Sequence, residues 1–241
     1  MKLFDAHNHL QSFPSYDEEA AAMRLAAAAG VAGMLVCGTS PADWGLVLEL
    51  SLRYAGTATP CFGLHPWYPA EEGWLDRLEE FLTREPSCVG EIGLDGLRGL
   101  PGHEENFAAQ LELARKLGRP AVIHCVKSWG RLLEILRASR VPVFMLHGYS
   151  GSPELVKELS ELGAYFSFGG GLLDPTREKL RAALAAVPRG RLLFETEAPE
   201  NGAGPAAVGN TVADAAEVLG VPQDELAELS LANGLAFIKN L

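Results

Sequence analysis

Four features are scarce or missing in this 241-residue chain, and each narrows its function. Cysteine pairs at close spacing are absent: Cys37, Cys61, Cys88 and Cys125 stand singly in apolar, strand-like runs, which argues against a disulfide framework and predicts buried, reduced thiols. No apolar run is long enough to cross a bilayer. The alanine-rich segment 20–29 is short, carries Arg24 and reads as helix, and the N-terminus lacks a charged stretch followed by an apolar one and a cleavage site. The expectation is a cytoplasmic protein without a membrane partner. Basic residues are few, 20 Lys and Arg against 31 Asp and Glu, for a net charge of -11. That balance disfavours coating nucleic acid through a broad basic surface, but a bound metal can supply positive charge locally. Finally, no glycine-rich phosphate loop follows the first strand, where Asn8-His9-Leu10-Gln11 stand instead.

What is present is a regular alternation. Apolar runs at 4–9, 31–37, 59–64, 88–92, 121–125, 142–147, 164–168 and 191–194, the last continuing through Glu195-Thr196-Glu197, read as strands. Helical patterns fill 17–29, 41–54, 71–84, 104–117, 129–139, 152–162 and 175–187, and 208–219, 223–229 and 231–239 are helical with Gly and Pro breaks. Eight such units imply a parallel sheet and, at this length, one domain over 1–241 of the α/β class, a (β/α)8 TIM barrel. An open doubly wound sheet is the alternative.

The polar residues gather on that scheme. Strand alternation places Asp5, His7 and His9 on one wall, and His65, Glu91, His124, His147 and Glu197 fall at or just beyond the C-terminal ends of other strands. In a barrel those ends form one ring, so five of the six histidines meet at its mouth. Taken singly, His124 and His147 read equally as hydrogen-bonded core residues, and His103 as a solvated helix terminus. Glu91, among Val89, Gly90, Ile92 and Gly93, would be buried uncompensated without a cation, as a metal ligand or, alternatively, in a structural ion pair. One carboxylate between two histidine pairs suggests two divalent ions: His7 and His9 with Glu197 on one, His124 and His147 on the other, Glu91 bridging. Asp5, deeper on the same wall, is expected to orient a ligand histidine. These donors suit zinc, manganese, iron, nickel or magnesium.

Asp5-Ala6-His7-Asn8-His9, Gly63-Leu64-His65-Pro66-Trp67, Gly90-Glu91-Ile92-Gly93-Leu94-Asp95, Val122-Ile123-His124, His147-Gly148-Tyr149-Ser150-Gly151 and Leu192-Leu193-Phe194-Glu195-Thr196-Glu197-Ala198-Pro199 together resemble the successive motifs of the TatD family of metal-dependent hydrolases, in order along nearly the whole chain. The resemblance implies an amidohydrolase-like barrel with a two-metal centre and a deoxyribonuclease activity that trims single-stranded DNA. It also implies that His65 contacts substrate without binding metal, and that Lys127 meets a phosphate. The chain departs from the family in three places. Glu197 stands where the family usually has Asp, with Glu195 on the same face; Gly96-Leu97-Arg98 replaces the usual aromatics; and the loop Ala207-Val208-Gly209-Asn210 has no basic residue.

The expected function is phosphodiester hydrolysis at a dinuclear centre, with Glu91 bridging, Glu197 moving the proton, and His65 and Lys127 placing the anion. Two other readings stay open: hydrolysis of a small amide, ester or phosphomonoester, and a non-catalytic binding protein on the same fold. No protein partner is implied.

Overall fold

The computed structural model describes residues 1–241, the side chain of Asn201 excepted. Eight strands, β1 (Leu3–Asn8), β2 (Val31–Cys37), β3 (Ala58–Phe62), β4 (Cys88–Asp95), β5 (Ala121–Val126), β6 (Phe144–Leu146), β7 (Ala164–Phe168) and β8 (Leu192–Phe194), pair in parallel in sequence order. The ring closes past the strand ends, where Glu197 N donates to His7 O at 3.1 Å and His9 N to Ala198 O at 2.7 Å. Between the strands run α1 (Tyr16–Ala29), α2 (Trp44–Arg53), α3 (Trp74–Arg84), α4 (His103–Leu117), α5 (Trp129–Ser139), α6 (Pro153–Glu161) and α7 (Glu178–Ala186); α8 (Val208–Leu219) and α9 (Gln223–Ile238) follow β8. This is the (β/α)8 barrel that the alternation of runs implies.

Two apolar clusters fall on opposite faces of the sheet. The larger packs helix residues such as Val47, Leu78, Phe107, Leu132 and Leu159 against Val36, Phe62, Val89, Ile123 and Phe166. The smaller, made of alternate strand positions, holds Leu35, Cys37, Cys61, Val122, Met145 and Leu193 inside the ring, with Phe237 of α9. Burial on both faces explains why the strands read as nearly continuous apolar runs. All four cysteines are free and buried, three of them in the inner cluster, as their isolated spacing predicts. One strand step above that cluster the same inward positions turn polar: Val122 leads to His124, Met145 to His147, Leu193 to Glu195.

Several boundaries differ from the sequence expectation. His9 and His147 lie just beyond β1 and β6, and the eighth strand ends at Phe194, leaving Glu195 to Glu197 in the loop that closes the ring. Single backbone bonds to the neighbouring strands carry on past the assigned ends, His147 N donating to Ile123 O and Glu195 N to Phe168 O, both at 3.1 Å. The break expected near Ser230 is absent, and α9 is continuous. Its polar interior is accounted for: Asn233 Nδ2 donates to Arg189 O and Leu192 O, both at 2.8 Å, and Gly234 lets the helix approach the Phe4 ring, which a Cβ would meet at 2.5 Å.

Gly93 sets how β4 lies on β5, opposite His124 of the polar layer. Its φ is +147°, and a Cβ there would stand 2.0 Å from His124 O. Gly93→Ala is therefore expected to lower stability by roughly 2–4 kcal/mol in urea unfolding, through combined backbone strain and overpacking. An unchanged midpoint would contradict this reading of the strand contact.

Candidate metal centre

Seven side chains from six segments converge at the C-terminal mouth of the barrel. Glu91, 3% exposed at the centre of β4, reaches between them. Its Oε2 lies 3.4 Å from His7 Nε2 and 3.2 Å from His9 Nε2. Its Oε1 lies 3.1 Å from His65 Nε2, 3.1 Å from His124 Nδ1 and 2.8 Å from His147 Nε2. Glu197, in the left-handed region at φ 58°, turns its carboxylate back over the site, with Oε1 2.8 Å from His147 Nδ1 and Oε2 3.6 Å from His7 Nε2. One cavity of about 510 Å³ opens over this cluster, lined among others by His9, His65, Trp67, Glu91, His124, His147 and Glu197.

Hydrogen bonds behind the rings decide which nitrogens are free. His9 Nδ1 lies 2.7 Å from Cys37 O, so that nitrogen carries the proton and Nε2 presents a lone pair to the site. His124 Nε2 faces Asp95 Oδ2 at 3.3 Å, leaving its Nδ1 free toward Glu91. His65 is opposite in kind. Its Nδ1 accepts from Trp67 N at 3.2 Å, so in the neutral ring the proton sits on Nε2, the nitrogen aimed at Glu91. His65 thus presents a donor where His9 and His124 present acceptors.

Asp95 is the residue that sequence reasoning passed over. Its Oδ2 also accepts from Trp67 Nε1 at 2.7 Å, and its Oδ1 accepts from Leu97 N and Arg98 N at 2.8 and 2.9 Å. Burial would raise this carboxyl, but those hydrogen bonds outweigh it and bring it down to about 2. The signal was in the Gly-Leu-Asp end of β4, two alternations beyond Glu91. Asp5, by contrast, orients no histidine. It accepts from Thr196 N at 2.9 Å, Thr196 Oγ1 at 2.7 Å and Asn8 Nδ2 at 3.0 Å, tying down the loop that carries Glu197. Burial pushes it up to about 7 against those bonds. Lys127 is exposed on the loop after β5 and does not line the cavity, although Val126 beside it does. His103, at the start of α4, is half-buried with Nδ1 2.7 Å from Leu100 O, outside the cluster.

The charges at the centre are arranged as a cation site requires. Burial raises the Glu91 carboxyl, yet His147, His65 and His7 together hold it well below the usual carboxylate range. Glu197 is likewise raised by burial and pulled down by His7 and His147 to about 2. Burial disfavours protonated His147, but Glu91 and Glu197 outweigh it and hold the ring well above the usual range; His7 is raised in the same way against burial and His147. Burial lowers His65, against the pull of Glu91, and keeps it neutral. Three ligand triads share atoms within 4.8 Å of one another: His7, His9 and Glu91; His65, Glu91 and His124; His7, His147 and Glu197. His7 Nδ1 and His147 Nδ1 are buried without hydrogen-bond partners. Imidazole and carboxylate groups crowded this closely are the donor set of a borderline divalent cation, so the residues fit metal.

Comparison with known proteins gives a consistent picture. The profile of the family described as "TatD related DNase" matches residues 4–239. The "3'-5' ssDNA/RNA exonuclease TatD" of Klebsiella pneumoniae (strain 342) is 34% identical over 210 residues, 82% of this chain and 78% of the relative. The "Uncharacterized metal-dependent hydrolase YjjV" of Escherichia coli (strain K12) is 31% identical over 208 residues, 83% of this chain and 80% of the relative. The crystal structure of YjjV, a TatD homologue from Escherichia coli K12, superposes with a TM-score of 0.89 at 29% identity, covering 98% of this chain and 97% of that one.

Two outcomes follow from the hydrogen bonds and charges. His7 and His147 hold protons above the usual imidazole range, so an ion must displace them, and zinc affinity should fall as pH falls, by about tenfold per unit for each displaced proton. Chelator competition between about pH 6 and 8 reads this directly, and a flat profile would contradict it. Asp95→Asn should weaken zinc binding by roughly 10–100-fold in the same assay by releasing the His124 tautomer.

Proposed function

Because this chain belongs to the TatD-related DNase family, we propose that it hydrolyses phosphodiester bonds in single-stranded nucleic acid, using two divalent ions held at the mouth of the barrel. One observation carries the reading. The Glu91 carboxylate separates two histidine groups, with Oε2 toward His7 and His9 and Oε1 toward His124 and His147, which is the arrangement of a bridging ligand. Glu197 completes the first group through the oxygen facing His7 and His9. Two divalent ions held by these residues would supply Lewis acidity and a nucleophilic water at neutral pH.

This chain's own residues do the rest. His65, neutral and with its proton on Nε2, lines the cavity and would donate to a phosphoryl oxygen there. Glu197, ionised, 27% exposed and lining the cavity, is the group placed to take and pass on the proton of the attacking water. Trp67 and Tyr68 line the same cavity, partly exposed, and Arg98 stacks 4.0 Å over the Trp67 ring. They provide a stacking surface for bases where the family's usual aromatics after Gly-Leu-Asp are replaced. Lys127, exposed on the loop after β5 and not among the residues lining the cavity, would be the cation for a phosphate outside it. The acidic balance of the chain makes recognition local rather than spread over the surface.

A labelled single-stranded oligonucleotide incubated with the zinc-, manganese- or magnesium-loaded protein tests the proposal. The expected result is stepwise shortening that chelator abolishes, that Glu91→Gln abolishes, and that His65→Ala slows by about 10²–10³-fold through kcat. Turnover of small esters or lactones with an intact oligonucleotide under every metal would contradict it.

A further inference from the structure

Two buried groups with no assigned use face each other behind the metal centre. Glu195 is fully buried immediately after β8, and neither of its carboxylate oxygens has a hydrogen-bond partner. His147 Nδ1 is also buried and unpartnered, and it lies 3.7 Å from Glu195 Oε1. An acceptor without a donor and a ring nitrogen without an acceptor, less than one ångström beyond hydrogen-bond reach, are complementary. Backbone occupies the neighbouring space: a Cβ on Gly148 would stand 3.4 Å from Glu195 Oε1, and one on Gly169 3.8 Å from its Cγ. Among the described residues, neither carboxylate oxygen accepts a hydrogen bond from a side chain.

The other rings of the site show what is missing. His9 and His124 each place one nitrogen on an acceptor, Cys37 O and Asp95 Oδ2, and turn the other toward the centre. His147 turns Nε2 toward Glu91 Oε1 at 2.8 Å and His124 Nδ1 at 3.3 Å, so its Nδ1 is the nitrogen that needs an acceptor. Glu197 Oε1 is nearer, at 2.8 Å, but Nδ1 makes no hydrogen bond with it, and the other Glu197 oxygen faces His7 and His9.

We propose that Glu195 is the acceptor for His147 Nδ1–H in the metal-loaded enzyme, a positioning residue that fixes the ring to ligate through Nε2. The inference rests on the reading of His147 as a metal ligand. It gives separate roles to the two carboxylates of Glu195-Thr196-Glu197: Glu197 serves the metal and the proton, and Glu195 serves the ring. It also accounts for a carboxylate held in the inner layer of the barrel with nothing else to bind. Glu195 lines a second cavity of about 650 Å³ as well, together with Glu197, Glu200 and Asp214, so a third cation there is the rival outcome.

The test uses zinc-loaded full-length protein with ¹⁵N-labelled histidine, as wild type, Glu195→Gln and Glu195→Ala. The wild type should show a downfield, exchange-protected proton on His147 Nδ1. That signal should shift in Glu195→Gln, which keeps an acceptor oxygen, and disappear in Glu195→Ala. Zinc affinity by chelator competition should fall roughly 10–100-fold in Glu195→Ala and less in Glu195→Gln, with zinc per chain unchanged in both. A His147 Nδ1 without a proton in the wild type overturns the inference, as does an affinity in Glu195→Ala within about twofold of wild type. Loss of one zinc per chain in Glu195→Ala overturns it in favour of direct ligation by Glu195. Wild-type protein that takes up no zinc or manganese overturns the metal-centre reading and this inference with it, a failure distinct from the others because it precedes any mutation.

Discussion

The molecule is built around one carboxylate in a place where a carboxylate does not stay without compensation. Glu91 lies at the centre of a strand buried along its whole length, and five imidazoles surround its two oxygens. In apolar surroundings the neutral acid would win, but the surrounding rings keep this one ionised. The same rings crowd one another, and a bound divalent cation beside the carboxylate would relieve both stresses.

That requirement explains much of the architecture around it. The inner barrel is apolar up to Val122, Met145 and Leu193 and turns polar one step higher, so the centre rests on a packed floor rather than on an open pore. Asp5 and Asp95 lie beside that layer as supports of different kinds. Asp95 holds His124, an aromatic of the cavity wall and the backbone of the following loop with one carboxylate. Asp5 binds Thr196 and so places the loop on which Glu197 takes its left-handed turn. The extra methylene of Glu197, compared with the Asp usual at this position in the family, is accommodated by that turn: the carboxylate folds back to His147 and His7.

The order of strands and helices was legible in the sequence because burial on both faces of a parallel sheet writes apolar runs and the helices between them carry capping glycines, as at Gly30 and Gly118. The convergence of His7, His9, His65, His124, His147 and Glu197 followed from that order, since each stands at or just beyond a strand's C-terminal end; Glu91 joins them from the middle of β4, which runs on to Asp95 past the end expected at Ile92. What the sequence did not carry is direction. Alternation put Asp5 on the wall of His7, yet its partners are Thr196, distant by nearly the whole chain, and Asn8. Which nitrogen of each ring faces inward depends on Cys37 O, Asp95 Oδ2 and Trp67 N, contacts that no local pattern encodes. The same holds for α9, where the break expected near Ser230 gives way to one continuous helix whose Asn233 and Gly234 meet Arg189, Leu192 and Phe4.

The claim on which this account turns is that the Glu91 carboxylate separates and joins two ions. Crystals soaked in zinc and measured at the zinc absorption edge test it most directly. The account predicts two anomalous peaks per chain, one against His7 and His9 and one against His124 and His147, with a Glu91 oxygen on each. A single peak, or two that leave Glu91 without contact to either, would contradict it.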